Sequence, residues 1–245
     1  MMVRRTFGRG VLAVLAGVAA MLLSGCDVNS PTMGFIWQEP YYPKLKVEVE
    51  TPEGIKTGYS VIEVKWDKAG RGFNVRGEAV AVDLPKGETL FVLLGSGSSG
   101  DWAAYLHQIV KLENSPEDQA LYYSRIAANR QVWPITGDHL PPWVDDRTNY
   151  PYFVRFRDIK DPKTVERVDP ADLAKTFGPG VKLKSFTLQM TDEPVTEGIA
   201  ERLPKPPYIR NFVYEGEDSE ALNLYKGKKV SEVIGIESFR QGFAK

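Results

Sequence analysis

Residues 45–54 read Leu45-Lys46-Val47-Glu48-Val49-Glu50-Thr51-Pro52-Glu53-Gly54, three apolar–charged pairs running into a turn. A period of two places Leu45, Val47 and Val49 on one face of an extended chain and the charges on the other. Such a strand needs a sheet to cover its apolar side, and Thr51-Pro52-Glu53-Gly54 has the turn chemistry to send the chain straight back. Downstream the pattern continues. Ser60, Ile62, Val64 and Trp66 share a face, with Glu63 and Lys65 opposite, and residues 67–72 turn. A third strand runs from about Phe73 to Leu84 with a bulge at Gly77, Pro85-Lys86-Gly87 turns again, and Thr89 to Leu94 is continuously apolar. Links this short cannot hold crossover helices, so the four strands form an antiparallel meander.

The remaining elements are short. Asp101 is placed to cap a helix with Trp102, Tyr105, Leu106, Ile109 and Val110 on one side and His107 on its polar side. Ser115-Pro116-Glu117-Asp118 reads as a second helix start, with Leu121, Tyr122 and Ile126 facing inward. Tyr152 to Arg157 returns to strand, and Arg155, Arg157 and Arg167 read as a solvated strand face. Asp169-Pro170-Ala171-Asp172 begins a short helix that Gly178 ends. From Val181 to Met190 the apolar parity flips between Leu183 and Phe186, which a bulge near Lys184-Ser185 reconciles. The fold class is therefore α+β, an antiparallel β-meander with a few short helices packed on one face.

The start of the chain follows another plan. Arg4, Arg5 and Arg9 precede an uncharged run from Val11 to Leu23, and small residues then lead into Cys26, the only cysteine. The run is shorter than the ~20 apolar residues that span a bilayer and has the three parts of an export signal. Leu23-Ser24-Gly25-Cys26 resembles the lipobox of bacterial lipoproteins. That resemblance implies a diacylglyceryl group on the Cys26 thiol, cleavage before it, and acylation of the new amino terminus with a fatty acid such as palmitate. It implies a membrane partner through Cys26 and a body facing the periplasm. Asp27 is similar to the inner-membrane retention signal of enterobacterial lipoproteins, though other lineages follow other rules. The expected organisation is a signal peptide at 1–25, a tether at 26–44, a globular domain at 45–203, and a linker with a C-terminal arm at 204–245.

Lys46-Val47-Glu48-Val49-Glu50-Thr51-Pro52-Glu53-Gly54 and Gly77-Glu78-Ala79-Val80-Ala81-Val82-Asp83-Leu84 are also similar to parts of proteobacterial envelope proteins of unknown function. So are Asp169-Pro170-Ala171-Asp172-Leu173 and Phe177-Gly178-Pro179-Gly180-Val181. This likeness extends over about half of the chain and implies no reaction.

Charge and motif content narrow the function. The net charge of −1 falls to about −4 once the signal's arginines are removed, so no nucleic-acid role is expected. Gly95-Ser96-Gly97-Ser98-Ser99-Gly100 matches a dinucleotide-binding turn literally, but its strand closes a meander and no acidic residue ends a second strand about twenty positions on. No cofactor is expected. Ser96, Ser98 and Ser99 miss the spacing of a hydrolase nucleophile elbow. Asp138, His139, Asp145 and Asp146 fit neither a calcium loop nor a zinc helix, and no metal is expected. What remains is the proline-rich loop from Trp133 to Pro151. There Trp133, Trp143 and Tyr150 set flat amphipathic rings beside His139, a chemistry suited to an envelope protein or glycan partner. The competing packing role is that the tryptophans plug the open face of the sheet. A non-enzymatic binding or scaffolding role follows, with no catalytic residue assigned. The alternative is an envelope hydrolase acting on cell wall or an ester with His139 as base.

Overall fold

A computed structural model describes residues 40–66, 73–95, 102–136, 151–161, 164–203 and 236–242. The chain divides into two units, Met1–Gln38 and Glu39–Lys245, and every described residue belongs to the second. Cys26 and the expected signal therefore lie outside the described residues. The fold is α+β, built from antiparallel sheets with short helices.

The opening stretch forms β1 (Pro43–Thr51) and β2 (Gly54–Val61), paired from Lys44↔Val61 to Thr51↔Gly54. At the turn the Thr51 hydroxyl donates to the Gly54 carbonyl at 2.7 Å and accepts the Glu53 N–H at 3.2 Å. Gly54 sits at φ +106°, where a side chain would be strained. Leu45, Val47 and Val49 are fully buried, as their alternation demands. Tyr41, within the expected tether, is also buried, and it exchanges two backbone hydrogen bonds with Val64.

The second and third predicted strands are each broken in two. The first becomes β2 and β3 (Glu63–Trp66), interrupted at Ile62; the other becomes β4 (Phe73–Glu78) and β5 (Val80–Asp83), interrupted at Ala79. The breaks coincide in space. A Cβ on Gly77, the expected bulge, would lie 2.4 Å from the Ile62 side chain, so only glycine lets the two strands touch there. At Gly58 the β2 backbone presses on β5, where a Cβ would meet the Ala81 carbonyl oxygen.

A turn at Pro85–Gly87 leads into β6 (Thr89–Val92), which pairs with β5 and with β8 (Phe153–Phe156), and β8 pairs with β9 (Val165–Val168). Leu90, Val92 and Leu94 face one hydrophobic cluster while Phe91 and Leu93 face another, so β6 buries both sides. That is why its sequence is apolar without alternation. Between β6 and β8 lies β7 (Trp133–Pro134), which pairs with the strand β10 (Lys182–Met190).

β10 also pairs with β1, and the register slips by one between Glu48↔Ser185 and Val49↔Leu183. Lys184 is the extra residue, at the bulge the parity flip calls for. The N-terminal sheet thus runs β2-β1-β10-β7 and the second β5-β6-β8-β9. The third sheet joins β3 and β4 to the C-terminal strand β11 (Arg240–Gln241).

The helices are short. Trp102–Gln108 is a 3-10 helix; α1 is Gln119–Ala128, α2 Leu173–Phe177, α3 Ile199–Arg202 and α4 Ile236–Phe239. The start of α1 differs from expectation. Asp118 rather than Ser115 caps it, its carboxylate accepting the Leu121 N–H at 2.7 Å. The helix buries Tyr123 and Ile126 and leaves Leu121 exposed. For α2 the expected end holds, Gly178 following it at φ +101°, while the helix starts later than the Asp169-Pro170 opening: Asp172 caps it by accepting the Lys175 N–H. Among the described residues no helix is long and apolar enough to cross a membrane.

Candidate functional site

Of the four residues expected to bind a partner, Trp133 is described; His139, Trp143 and Tyr150 fall in 137–150 and lie outside the described residues. Trp133 opens the loop from a fixed point. Its backbone pairs with Leu188 of β10, Pro134 pairs with Thr187, and the Ile135 N–H donates to the Phe186 carbonyl at 2.8 Å. The preceding strap is held as well. Arg130 makes a bidentate pair with Asp192 at 2.7 and 2.8 Å, and the Gln189 amide donates to the Arg130 carbonyl. The indole N–H reaches the Asn129 side-chain oxygen at 3.4 Å, while the half-buried ring packs against the main hydrophobic cluster. At this tryptophan the packing role of the sequence analysis is the one observed.

A second constellation escaped the sequence reading. His107, expected on a solvated face, is buried. At three residues per turn, Ala104 and His107 lie in line on one face of the 3-10 helix, and both are buried. The 3.6-residue period used to place His107 outward does not apply there.

Around the imidazole stand Phe73, Tyr123, Tyr122, Tyr41 and Tyr105, at centroid distances of 5.0, 5.3, 6.4, 6.5 and 6.5 Å. The Tyr41 hydroxyl lies 3.3 Å from His107 Nδ1, the tautomer deciding which group donates. Tyr122 donates from its hydroxyl to the His107 carbonyl at 3.5 Å. Burial holds the imidazole down at about 4, and burial likewise pushes the Tyr41 phenol well above its ordinary value. Both groups are therefore uncharged at neutral pH. A neutral imidazole whose described side-chain hydrogen bond is to a phenol serves to join Tyr41, ahead of β1, to β4, the 3-10 helix and α1. General-base catalysis would ask for a reacting proton within its reach.

Arg155 is also not on a solvated face. Its guanidinium donates to Glu166 at 2.7 Å and to the Thr176 carbonyl at 2.9 Å, lies 3.6 Å from Glu88, and rests 5.4 Å from the Phe177 ring centre. It ties β8 to β9 and to α2. Arg167 lies over the Tyr152 ring at 4.2 Å.

The glycine-rich stretch is described only to Gly95. Its flanks are an antiparallel strand and a 3-10 helix, whereas a dinucleotide turn joins a parallel strand to an α-helix whose amides hold phosphate. Among the described residues no group of three or more His, Cys, Asp or Glu could hold a metal ion. Comparison with protein-family models, with curated proteins and with solved structures finds no match to this chain.

Proposed function

We propose that this chain is a lipoprotein of the bacterial envelope, anchored through Cys26, whose body binds or scaffolds an envelope protein or glycan at the periplasmic face without catalysing a reaction. The observation that carries the reading is Leu23-Ser24-Gly25-Cys26 directly behind an uncharged apolar run and a basic start. Two or more acyl chains on one residue hold a protein durably, since each buried methylene contributes ~0.8 kcal/mol. The enclosure of His107 by five rings supports a non-catalytic body, because it assigns that histidine to packing.

Metabolic labelling with palmitate tests the anchor: label is expected on the wild-type chain and lost from Cys26→Ser. Persistence of label on the variant would remove the anchor from Cys26. Binding and hydrolysis separate in the loop. Trp143→Ala should weaken capture of a crosslinked envelope partner about tenfold or more. Loss of an ester- or cell-wall-hydrolysing activity in His139→Ala would favour the hydrolase instead.

A further inference from the structure

The C-terminal segment is seated like a ligand. Phe239 is completely buried, with its ring 5.6 Å from Phe91 and 5.9 Å from Phe156. The Ala79 N–H donates to the Phe239 carbonyl at 2.7 Å and the Leu94 N–H to the Ser238 carbonyl at 2.9 Å, so the segment fills the gap left where β4 breaks from β5. Arg240 and Gln241 then pair with Glu78 and Gly77.

Each position makes its own demand. Glu78 is buried, and one of its carboxylate oxygens accepts the Ile199 N–H at 2.8 Å. Its other oxygen makes no hydrogen bond among the described residues and faces Arg240 Nε at 3.4 Å. A buried carboxylate requires a counter-charge, so a cation must follow the phenylalanine. Gly242 lies at φ +72°, where a Cβ would come within 2.8 Å of the Val75 carbonyl oxygen. The groove thus reads the pattern Phe-Arg-x-Gly through backbone pairing and side-chain pockets, the logic of strand addition.

We propose that this groove takes residues 236–242 of a second copy of the chain, so that copies associate by exchanging C-terminal segments. The course of the chain argues for it. Ile199 and Arg240 both contact the Glu78 carboxylate, so the described residues on either side of 204–235 are anchored at nearly the same place. At ~3.3 Å per residue that stretch can reach on the order of 100 Å, far more than the internal connection needs. An exchanged segment makes the same contacts as an internal one, so the balance is set by local concentration. The described hold is confined to a short segment: two residues of ladder, two further backbone hydrogen bonds, one buried ring and one ion pair. Nothing in this inference depends on the lipid anchor.

The test uses the full chain and native mass spectrometry, which counts chains per complex. Glu78→Arg and Arg240→Glu each break the pair within one chain, but a mixture restores both pairs if segments are exchanged. The mixture should give at least tenfold more one-to-one dimer than either variant alone, and the double variant, which restores the ion pair but not the Ile199 hydrogen bond, should form more dimer than either single variant. Failure of two folded variants to associate would overturn the proposal. Should either variant not fold, a labelled peptide of residues 236–245 is titrated into the wild-type chain instead. Saturable binding that displaces wild-type dimer, and that weakens tenfold or more with Arg240→Glu in the peptide, is expected. Absence of binding at ~1 mM peptide, or binding to a chain that is monomeric at every concentration, would overturn exchange between copies.

Discussion

The His107 imidazole titrates at about 4 because its ring is enclosed, whereas in an unfolded chain it would titrate near ~6.5. Between those values the unfolded chain takes up a proton that the folded one refuses, so stability rises with pH across that window. The contribution is fully present above pH ~6.5 and is lost as pH falls to about 4, a change of about 3 kcal/mol. Urea unfolding of wild type and His107→Phe at pH 7 and pH 4 should show it: wild type loses about 3 kcal/mol relative to the variant at the acid end. Parallel profiles would mean that the ring is hydrated. This burial was not legible in the sequence, because residues 102–108 are apolar around most of the helix and carry no local sign of whether it is α or 3-10. Arg155 escaped for a related reason. Its partners Glu88, Glu166 and Thr176 lie far along the chain, and a strand arginine carries no local sign of them.

Strand β10 makes the sharpest test among the elements. Removing Lys184 leaves Val181, Leu183, Phe186, Leu188 and Met190 in unbroken alternation against β1. We expect that deletion to fold normally, with its unfolding free energy within about 1 kcal/mol of wild type. Removing Thr187 instead turns Leu188 and Met190 to the opposite face, and should cost about 4 kcal/mol or more. Denaturant melts of the two deletions decide the matter; equal damage from both would refute the bulge. Here the sequence was legible, because parity is a strictly local signal. The same signal delivered β1, β2 and the turn between them, and Gly178 marked the end of α2. It did not deliver the interruptions at Ile62 and Ala79, which arise where two strands cross and so depend on a contact between distant residues. Nor did it deliver β9, whose four residues are too few to show a period.

For the whole molecule, the decisive feature is a central strand with a hydrophobic cluster on each side, the second completed by a segment from the far end of the chain. Phe91 contacts both Phe156 and Phe239 in that second cluster. Phe91→Ala should therefore lower the unfolding free energy by about 3–5 kcal/mol. It should also make residues 236–242 the first to gain hydrogen exchange, ahead of β1 and β10; simultaneous loss of protection would mean that the tail and sheet open as one. Of the candidate partner site, only Trp133 lies among the described residues. That Trp133 would be pinned inward by β10 depended on a two-residue strand that no pattern announces. That strand carries a consequence of its own. The Ile135 N–H points toward β10, so the nitrogen of Pro134 faces away, and proline has no hydrogen to offer there. An exposed row of backbone donors is what nucleates fibrils between crowded neighbours. Pro134 leaves that place on the rim without a donor, one fewer handhold for a neighbouring strand.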